Sequence, residues 1–534
     1  MKYAAITNQQ RPQTPAEQLA GISDLLNRLT AQDRGKFLSF GWGQTIAPRF
    51  ATIADAILFH MRDQPAAIAA EFGGQQLSYG ALDRASNQLA AALRKQGVRQ
   101  GDAVCLYLRR SLEMVVGIVA IMKLGAAYVP QHVGVAPAKT LRHIASVTGA
   151  KVILTRADLA HLVPVEPGQT LISIDTLNPS DTAFTAARSQ PTDRAIVLFT
   201  SGTTGVPNGV QVTQANLANV LLTAPGDLGM RPGQRVAQIL SIAFDMAAWE
   251  TLGALANGAT LVIRGKSIQE TVETVDIVIA TPSILNALNA DRCQQIKTAA
   301  VAGEPCPRPL ADKWAGFCTF YNSCGPTETT IINTAARHSA ANPILSIGSP
   351  TPNNSVYILD DLLMPLPIGS KGEMWAGGAC VTAGYLANPA LTSARYRPDP
   401  FRPGQMMFRT RDIGRWTDDG TLEHLGRVDD LVKIRGFRVE LGGVSNVLER
   451  AAGCAQAVTL KYDDTTLVSF ISPASARPEL AAEKVAKCLP YYCSPTVILA
   501  LDELPRTARG KLDKPLLLKL AADHLAQQCS EAAQ

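Results

Sequence analysis

The chain has 534 residues, of which 46% are apolar and 18% charged, an ordinary balance for a globular protein with large buried cores. That excludes a mainly disordered chain, and the length points to two to four domains at about 150 residues each. Lysine plus arginine number 50 against 45 acidic residues, a net charge of +5 that is too weak over this length to argue for nucleic acid.

Residues 1–47 read as an appendage. The opening MKYAAITNQQRPQTP is polar and lacks the apolar stretch of a secretory signal. Leu19, Ile22, Leu25, Leu26 and Leu29 then fall at helical spacing, which predicts one amphipathic helix docked on the main body. From 48 to about 425, β-rich runs (Ala103–Leu108, Lys151–Leu154, Ala195–Phe199, Val236–Leu240, Thr260–Ile263, Val275–Ile279) alternate with helical patterns (Tyr79–Gln96, Leu112–Leu124, Gln214–Leu222, Ala247–Ala256). Such alternation predicts an α/β fold of parallel sheets covered by helices. The most apolar stretch, Met114 to Met122, stops at Lys123, well short of the ~20 residues of a membrane span. Beyond about 350 the signals become shorter and strand-like. The polar, glycine-punctuated run Arg415 to Asp430 reads as a linker or hinge. The last hundred residues read as a small α+β domain with a terminal helix near Pro515–Gln527. The ten cysteines are scattered without a C-x-x-C pair, which suits free thiols in a reducing compartment, and the expected location is cytoplasmic.

The strongest local signal is LFTSGTTGVPNG, Leu198 to Gly209. An apolar strand runs into small hydroxylated residues and glycines, which lets backbone N–H groups wrap a polyphosphate. The P-loop pattern is absent.

With this loop, a set of further motifs resembles the adenylate-forming superfamily, and most closely the amino-acid adenylation domains of nonribosomal peptide synthetases. In family order they are LSYGALDRASNQLAAAL from Leu77, MKLGAAYVP ending at Pro130, the loop itself, FDMAAWE from Phe244 and NSCGPTETT from Asn322. GEMWAGGACVTAGYL from Gly372, FRTRD from Phe408, GRVDDLVKIRGFRVELGG from Gly426, LPYYCSP from Leu489 and RGKLDK from Arg509 follow.

The resemblance implies a large domain over 48–428, with parallel sheets and a distorted β subdomain, hinged at Asp429 to a small α+β domain over 429–534. It implies two half-reactions. ATP and an acid give an acyl-adenylate and pyrophosphate; the thiol of a phosphopantetheine arm on a separate carrier protein then takes the acyl group. Lys511 corresponds to the family's catalytic lysine, a cation between two mutually repelling anions. Thr200, Ser201, Gly202, Thr203, Thr204, Gly205, Asn322, Cys324, Thr327, Asp412 and Arg427 correspond to ATP-binding positions, and Glu328 to the ligand of Mg²⁺. Asp245 corresponds to the carboxylate that meets a substrate's α-ammonium, which favours an α-amino acid over an aryl or fatty acid. Met246, Trp249, Ile279, Ala300, Ala302, Ser323, Ile331 and Ile332 correspond to the side-chain pocket. None is charged, which disfavours acidic and basic amino acids. The bulky members favour glycine or alanine, whereas Ala300 and Ala302 leave room for a larger apolar side chain.

Three positions depart from the pattern: Asn208 replaces a lysine, Cys324 an adenine-stacking tyrosine and Arg411 a glycine. They motivate one competing reading, a degenerate nucleotide-binding homologue; a coenzyme A or aryl-acid ligase is another, opposed by Asp245. Too few residues follow Lys511 for a carrier domain, so the expected enzyme is free-standing. Its product would enter a peptide or decorate an envelope polymer or lipid. A nucleic acid is not an expected partner, and the chain is not expected to be embedded in a membrane.

Overall fold

The computed structural model describes residues 24–176, 184–200, 206–342, 344–428, 431–506 and 512–532. Two large sheets carry the first half of the chain. In the six-stranded sheet the order is Thr170–Ser173, Val152–Thr155, Ala103–Leu108, Ala127–His132, Arg194–Thr200, Asn208–Thr213. Only the last pair is antiparallel. The nine-stranded sheet has a parallel centre running through Ile68–Phe72, Thr260–Ile263, Arg235–Gln238, Ile277–Ala280, Thr298–Val301 and Thr319–Cys324. Antiparallel strands close both of its edges.

Strands buried on both faces should read as unbroken apolar runs. AVCLYL and IVIA do, and every residue in them is buried. The helix Leu112–Lys123 is apolar all round for the same reason, because it packs between the two sheets. Ser111 caps its start by accepting the Met114 N–H at 3.2 Å. Its last residue, Lys123, is only 2% exposed; its Nζ stays charged by donating to Asp83 and Asn87 carboxyl and amide oxygens, both at 2.6 Å.

A five-stranded antiparallel sheet follows, built on Asn354–Leu359, Gly372–Gly378 and Met406–Trp416. The stretch expected to be a linker is largely part of it. Arg415 and Trp416 end one strand, Leu422–Arg427 forms its antiparallel partner, and Asp419–Gly420 makes the turn between them. The Asp-Gly turn between alternating residues is a hairpin signal, and its polarity belongs to a solvent-facing turn rather than to a flexible connection.

The smaller C-terminal region begins with the hairpin Leu431–Ile434 and Phe437–Glu440, then a three-stranded sheet (Gln456–Lys461, Leu467–Ser472, Val497–Ala500) flanked by the helices Leu441–Glu449, Pro478–Cys488 and Lys514–Ala532. It has its own apolar cores, around Val439 and Leu448 and around Phe470 and Leu517. Near the N-terminus, most of the predicted amphipathic helix lies outside the described residues. Leu26, Leu29 and Phe37, the last on the helix Ala31–Phe40, are buried against Tyr357, Trp375 and Phe401.

Candidate active site

The site lies where strands of both large sheets end and the small region's hairpin closes over them. The strand Arg194–Thr200 delivers Thr200 to the rim of a cavity of about 440 Å³. The strand Thr319–Cys324 delivers Gly325, Pro326 and Thr327 to the same cavity. Asp245, Met246, Ala302 and Ile331 also line it, as do Lys433 and Arg438 from the hairpin. Open α/β sheets place ligands at the carboxyl ends of their strands, and this cavity follows that rule.

Asp245 is the first residue of the helix Asp245–Ala256, and its Oδ1 accepts the Met246 N–H at 2.8 Å. Burial pushes its carboxyl up; a Thr327 hydrogen bond and the Lys433 charge pull the other way. Burial likewise pushes the Lys433 ammonium down, and Arg438 adds to the fall while Asp245 and Glu304 oppose it. A half-buried carboxylate thus faces the cavity.

Glu328 is 1% exposed on the turn Thr327–Thr329. Arg438 reaches across from the hairpin to form a forked pair, Nη1 to Oε2 at 3.0 Å and Nη2 to Oε1 at 3.5 Å. The Tyr385 hydroxyl donates to Oε1 at 2.7 Å. Burial would raise this carboxyl, but Arg438 and then Arg395 outweigh it and hold it at about 2. Both oxygens are therefore engaged, and in this pose the donor set does not fit Mg²⁺. A metal would require the Arg438 guanidinium to leave. No cluster of three metal-ligating side chains occurs among the described residues.

Asp412 is also buried. Arg427 Nη1 meets its Oδ1 at 2.5 Å and His424 Nε2 stands at 3.4 Å. Burial raises its carboxyl, but the His424 hydrogen bond and the Arg427 charge bring it below the ordinary range. Cys324 lines the same small pocket as Asp412, and burial followed by the Asp412 charge pushes its thiol up to about 12. Asn322 is buried nearby and donates to the Ser346 carbonyl at 2.8 Å.

The three departures have structural settings. Asn208 accepts from the Asn388 side chain at 3.1 Å. Arg411 sits at φ 63°, in the left-handed region, where the paired strands shift register after Asp412. A glycine pattern at that position therefore has a backbone reason. Cys324 sits within reach of the Asp412 and Arg427 charges.

Of the expected pocket residues, Met246, Ala302 and Ile331 face the cavity. Trp249, Ile279, Ala300, Ser323 and Ile332 do not line it; all five are buried behind it, and the Trp249 indole N–H donates to the Gly226 carbonyl at 2.6 Å. Beyond Ile279 the cavity reaches Thr281, just past the end of the same strand. Ser201, Gly202, Thr203, Thr204, Gly205, Asp429 and Lys511 lie outside the described residues.

Two charged residues that the sequence reading missed also line the cavity: Arg110, after the strand Ala103–Leu108, and Arg264, after Thr260–Ile263. A cation just beyond the carboxyl end of an apolar parallel strand was the available signal. The hairpin itself is held down by aromatic contacts. Phe437 stacks on Tyr492 at 4.1 Å between ring centroids and packs on Phe244 at 5.3 Å. Gly436 allows the approach: its φ is +84°, and a Cβ there would stand 3.0 Å from Thr281 Cγ2.

Residues 59–386 match the family model described as AMP-binding enzyme. "Adenylate-forming reductase 06235" of Coprinopsis cinerea is 44% identical over 515 residues, covering 95% of this chain and 50% of the relative. "Tyrocidine synthase 1" of Brevibacillus parabrevis is 32% identical over 519 residues, covering 93% of this chain and 47% of the relative. The chain thus spans about half the length of the curated relatives it matches. Among solved structures, holo-AB3403, a four-domain nonribosomal peptide synthetase bound to AMP and glycine, superposes with a TM-score of 0.64 at 28% identity over 89% of this chain and 37% of that one.

Proposed function

We propose that this chain, which belongs to the AMP-binding enzyme family, adenylates a small neutral α-amino acid, with glycine or alanine the favoured substrates. It is an adenylate-forming enzyme related to the adenylation domains of nonribosomal peptide synthetases. The observation that carries the amino-acid reading is Asp245, a carboxylate facing the cavity beside Thr327. A substrate ammonium would give this half-buried carboxylate a cation in the cavity itself, beyond the nearby Lys433 charge, and an aryl or fatty acid would not. Met246 and Ile331 narrow the space beside it, which supports a small side chain. The glycine bound to the synthetase of similar fold points the same way.

In this reading Thr200 and the loop after it hold the phosphates, and Asp412 with Arg427 serves the nucleoside. ATP and the acid give aminoacyl-AMP and pyrophosphate, with Lys511 as the cation between carboxylate and α-phosphate. Where Mg²⁺ takes part, Glu328 is the residue to hold it, once Arg438 has moved away; the ion would offset phosphate charge. The acyl group then passes to the phosphopantetheine thiol of a carrier. The small region's hairpin, with Gly436 against Thr281, walls the path that thiol would take. The product serves peptide synthesis or aminoacylation of an envelope polymer or lipid, in the cytoplasm. No helix among the described residues is long and apolar enough to cross a membrane.

A second reading of the product's fate is favoured by the 44% identity to proteins named adenylate-forming reductases: the acyl thioester would be released by reduction. Both readings share the adenylation step. A pyrophosphate-exchange screen of twenty amino acids and several aryl acids tests it. Exchange with glycine or alanine above all others is expected, and Lys511→Ala should nearly abolish it. Exchange driven best by an aryl acid, or by none, overturns the proposal.

A further inference from the structure

The cavity that holds Asp245 carries more positive charge than a neutral amino acid needs. Arg110 and Arg264 both line it, and His132 lies beside them. The two arginines come from different sheets and from positions far apart in sequence, so only the fold brings them together.

Neither guanidinium forms an ion pair within 4 Å among the described residues. Arg110 donates through Nε to the Leu240 carbonyl at 3.1 Å and through Nη2 to the Ile239 carbonyl at 2.9 Å, which leaves part of its fork unused. Arg264 forms no ion pair among the described residues, and its Nε is buried without a hydrogen-bond partner. His132 Nδ1 is a second buried atom without a partner in the same wall. Burial depresses Arg110 to about 10, with Arg264 adding to the fall. Burial, then Arg110 and Arg109, depress His132 to about 4, so its ring is neutral near pH 7.

Glu250 is the acidic neighbour of Arg110, and it is already committed. Its oxygens accept from the Ile239 N–H at 2.8 Å, the Leu240 N–H at 3.2 Å and the Gln238 amide at 3.1 Å. Burial pushes its carboxyl up to about 8, against the pull of the Ile239 N–H and the Arg110 charge. Two partly buried like charges in one cavity wall, one of them with a partnerless Nε, form an arrangement that an anion would stabilise. A forked guanidinium is suited to the paired oxygens of carboxylates and phosphates.

We infer that Arg110 and Arg264 form an oxyanion subsite in the wall of this cavity. Two sources can supply the oxyanion: the phosphate of the thiol arm, or a second carboxylate on the acid being activated. The subsite rests on the adenylating function proposed above and deepens it, by naming a charged group that one of its two partners must carry. The phosphate source leaves the neutral amino acid in place; the carboxylate source replaces it with a dicarboxylic one.

The test reads two ratios in the full chain, wild type and R264L, with R264Q as a second variant in case R264L folds poorly. One is the rate of thioester formation on phosphopantetheine against pantetheine, which lacks the phosphate. The other is pyrophosphate exchange with glutamate against norvaline. One ratio should favour the anionic ligand in the wild type and fall about tenfold or more in both variants. A fall in the first assigns the phosphate; a fall in the second assigns the carboxylate. Ratios near one in the wild type, or unmoved by either variant, overturn the subsite. If no acid supports exchange, the adenylation proposal fails by itself. Calorimetric titration with phosphopantetheine and pantetheine then decides the subsite: tighter binding of the phosphorylated arm, lost in the variants, supports it, and equal binding overturns it.

Discussion

The pair Arg438–Glu328 joins the small region to the large one, and removing one member should expose its worth. Glu328 is 1% exposed and its guanidinium partner 13%, so neither charge has water to fall back on. Arg438→Met leaves a buried carboxylate with the Tyr385 hydroxyl as its remaining close donor among the bonds around it. Breaking a buried pair in this way costs about 3–5 kcal/mol. Glu328→Gln should also destabilise the fold, because it removes the carboxylate charge that faces the arginine. Double-mutant cycles in urea unfolding measure the coupling directly. If the forked geometry holds, the double variant is far more stable than the sum of the two losses implies, with a coupling of about 2 kcal/mol or more. Because Arg438 engages the carboxylate that would otherwise be open to a metal, Arg438→Met should also slow thioester formation more than pyrophosphate exchange. Additive losses within about 0.5 kcal/mol, together with equal slowing of both half-reactions, would refute this account of the pair.

Other consequences can be checked separately. Arg411→Gly should raise the unfolding free energy by about 1 kcal/mol, because φ 63° suits glycine better than arginine; a thermal melt that moves down contradicts this. His132 has a depressed value of about 4 against its ordinary 6.5, so the folded state binds fewer protons than the unfolded chain in that window. Its contribution is present above pH 6.5 and lost as the pH falls toward 4, amounting to at most about 3 kcal/mol. In His132→Gln the stability curve should be flatter over that interval, and an unchanged slope excludes the assignment. Gly436→Ala places a methyl group against Thr281 at a left-handed φ, so it should impair thioester formation more than adenylation. Equal effects on both steps would remove the hairpin from the thiol's path.

The core of the fold was legible because its signals are local. AVCLYL and the run Val275–Ile279 read as strands, and the structure buries them on both faces. Asp245, Thr200 and Glu328 could be marked as candidates because each sits inside a recognisable motif, and the structure brings Asp245 and Thr200 to one cavity. The hairpin at Asp419–Gly420 reads as a linker from sequence because its polarity masks the turn chemistry. Trp249 was expected at the pocket wall, but packing around the Gly226 carbonyl turns its indole into the core. Arg110 and Arg264 escaped notice because nothing local pairs them; two separate sheets must fold before they share a surface. The tie between Arg438 and Glu328 spans 110 positions and joins two regions, which no periodicity can reveal.

The amino-acid reading stands or falls on what Asp245 recognises. Pyrophosphate exchange with alanine and with propionate, which differ only in the ammonium group, measures this in wild type and in Asp245→Ala. The account predicts a preference for alanine of about 100-fold or more in the wild type, from a charge pair worth about 3 kcal/mol or more, and its collapse in the variant. Propionate exchanging as well as alanine in the wild type, or a preference that survives loss of the carboxylate, would contradict it.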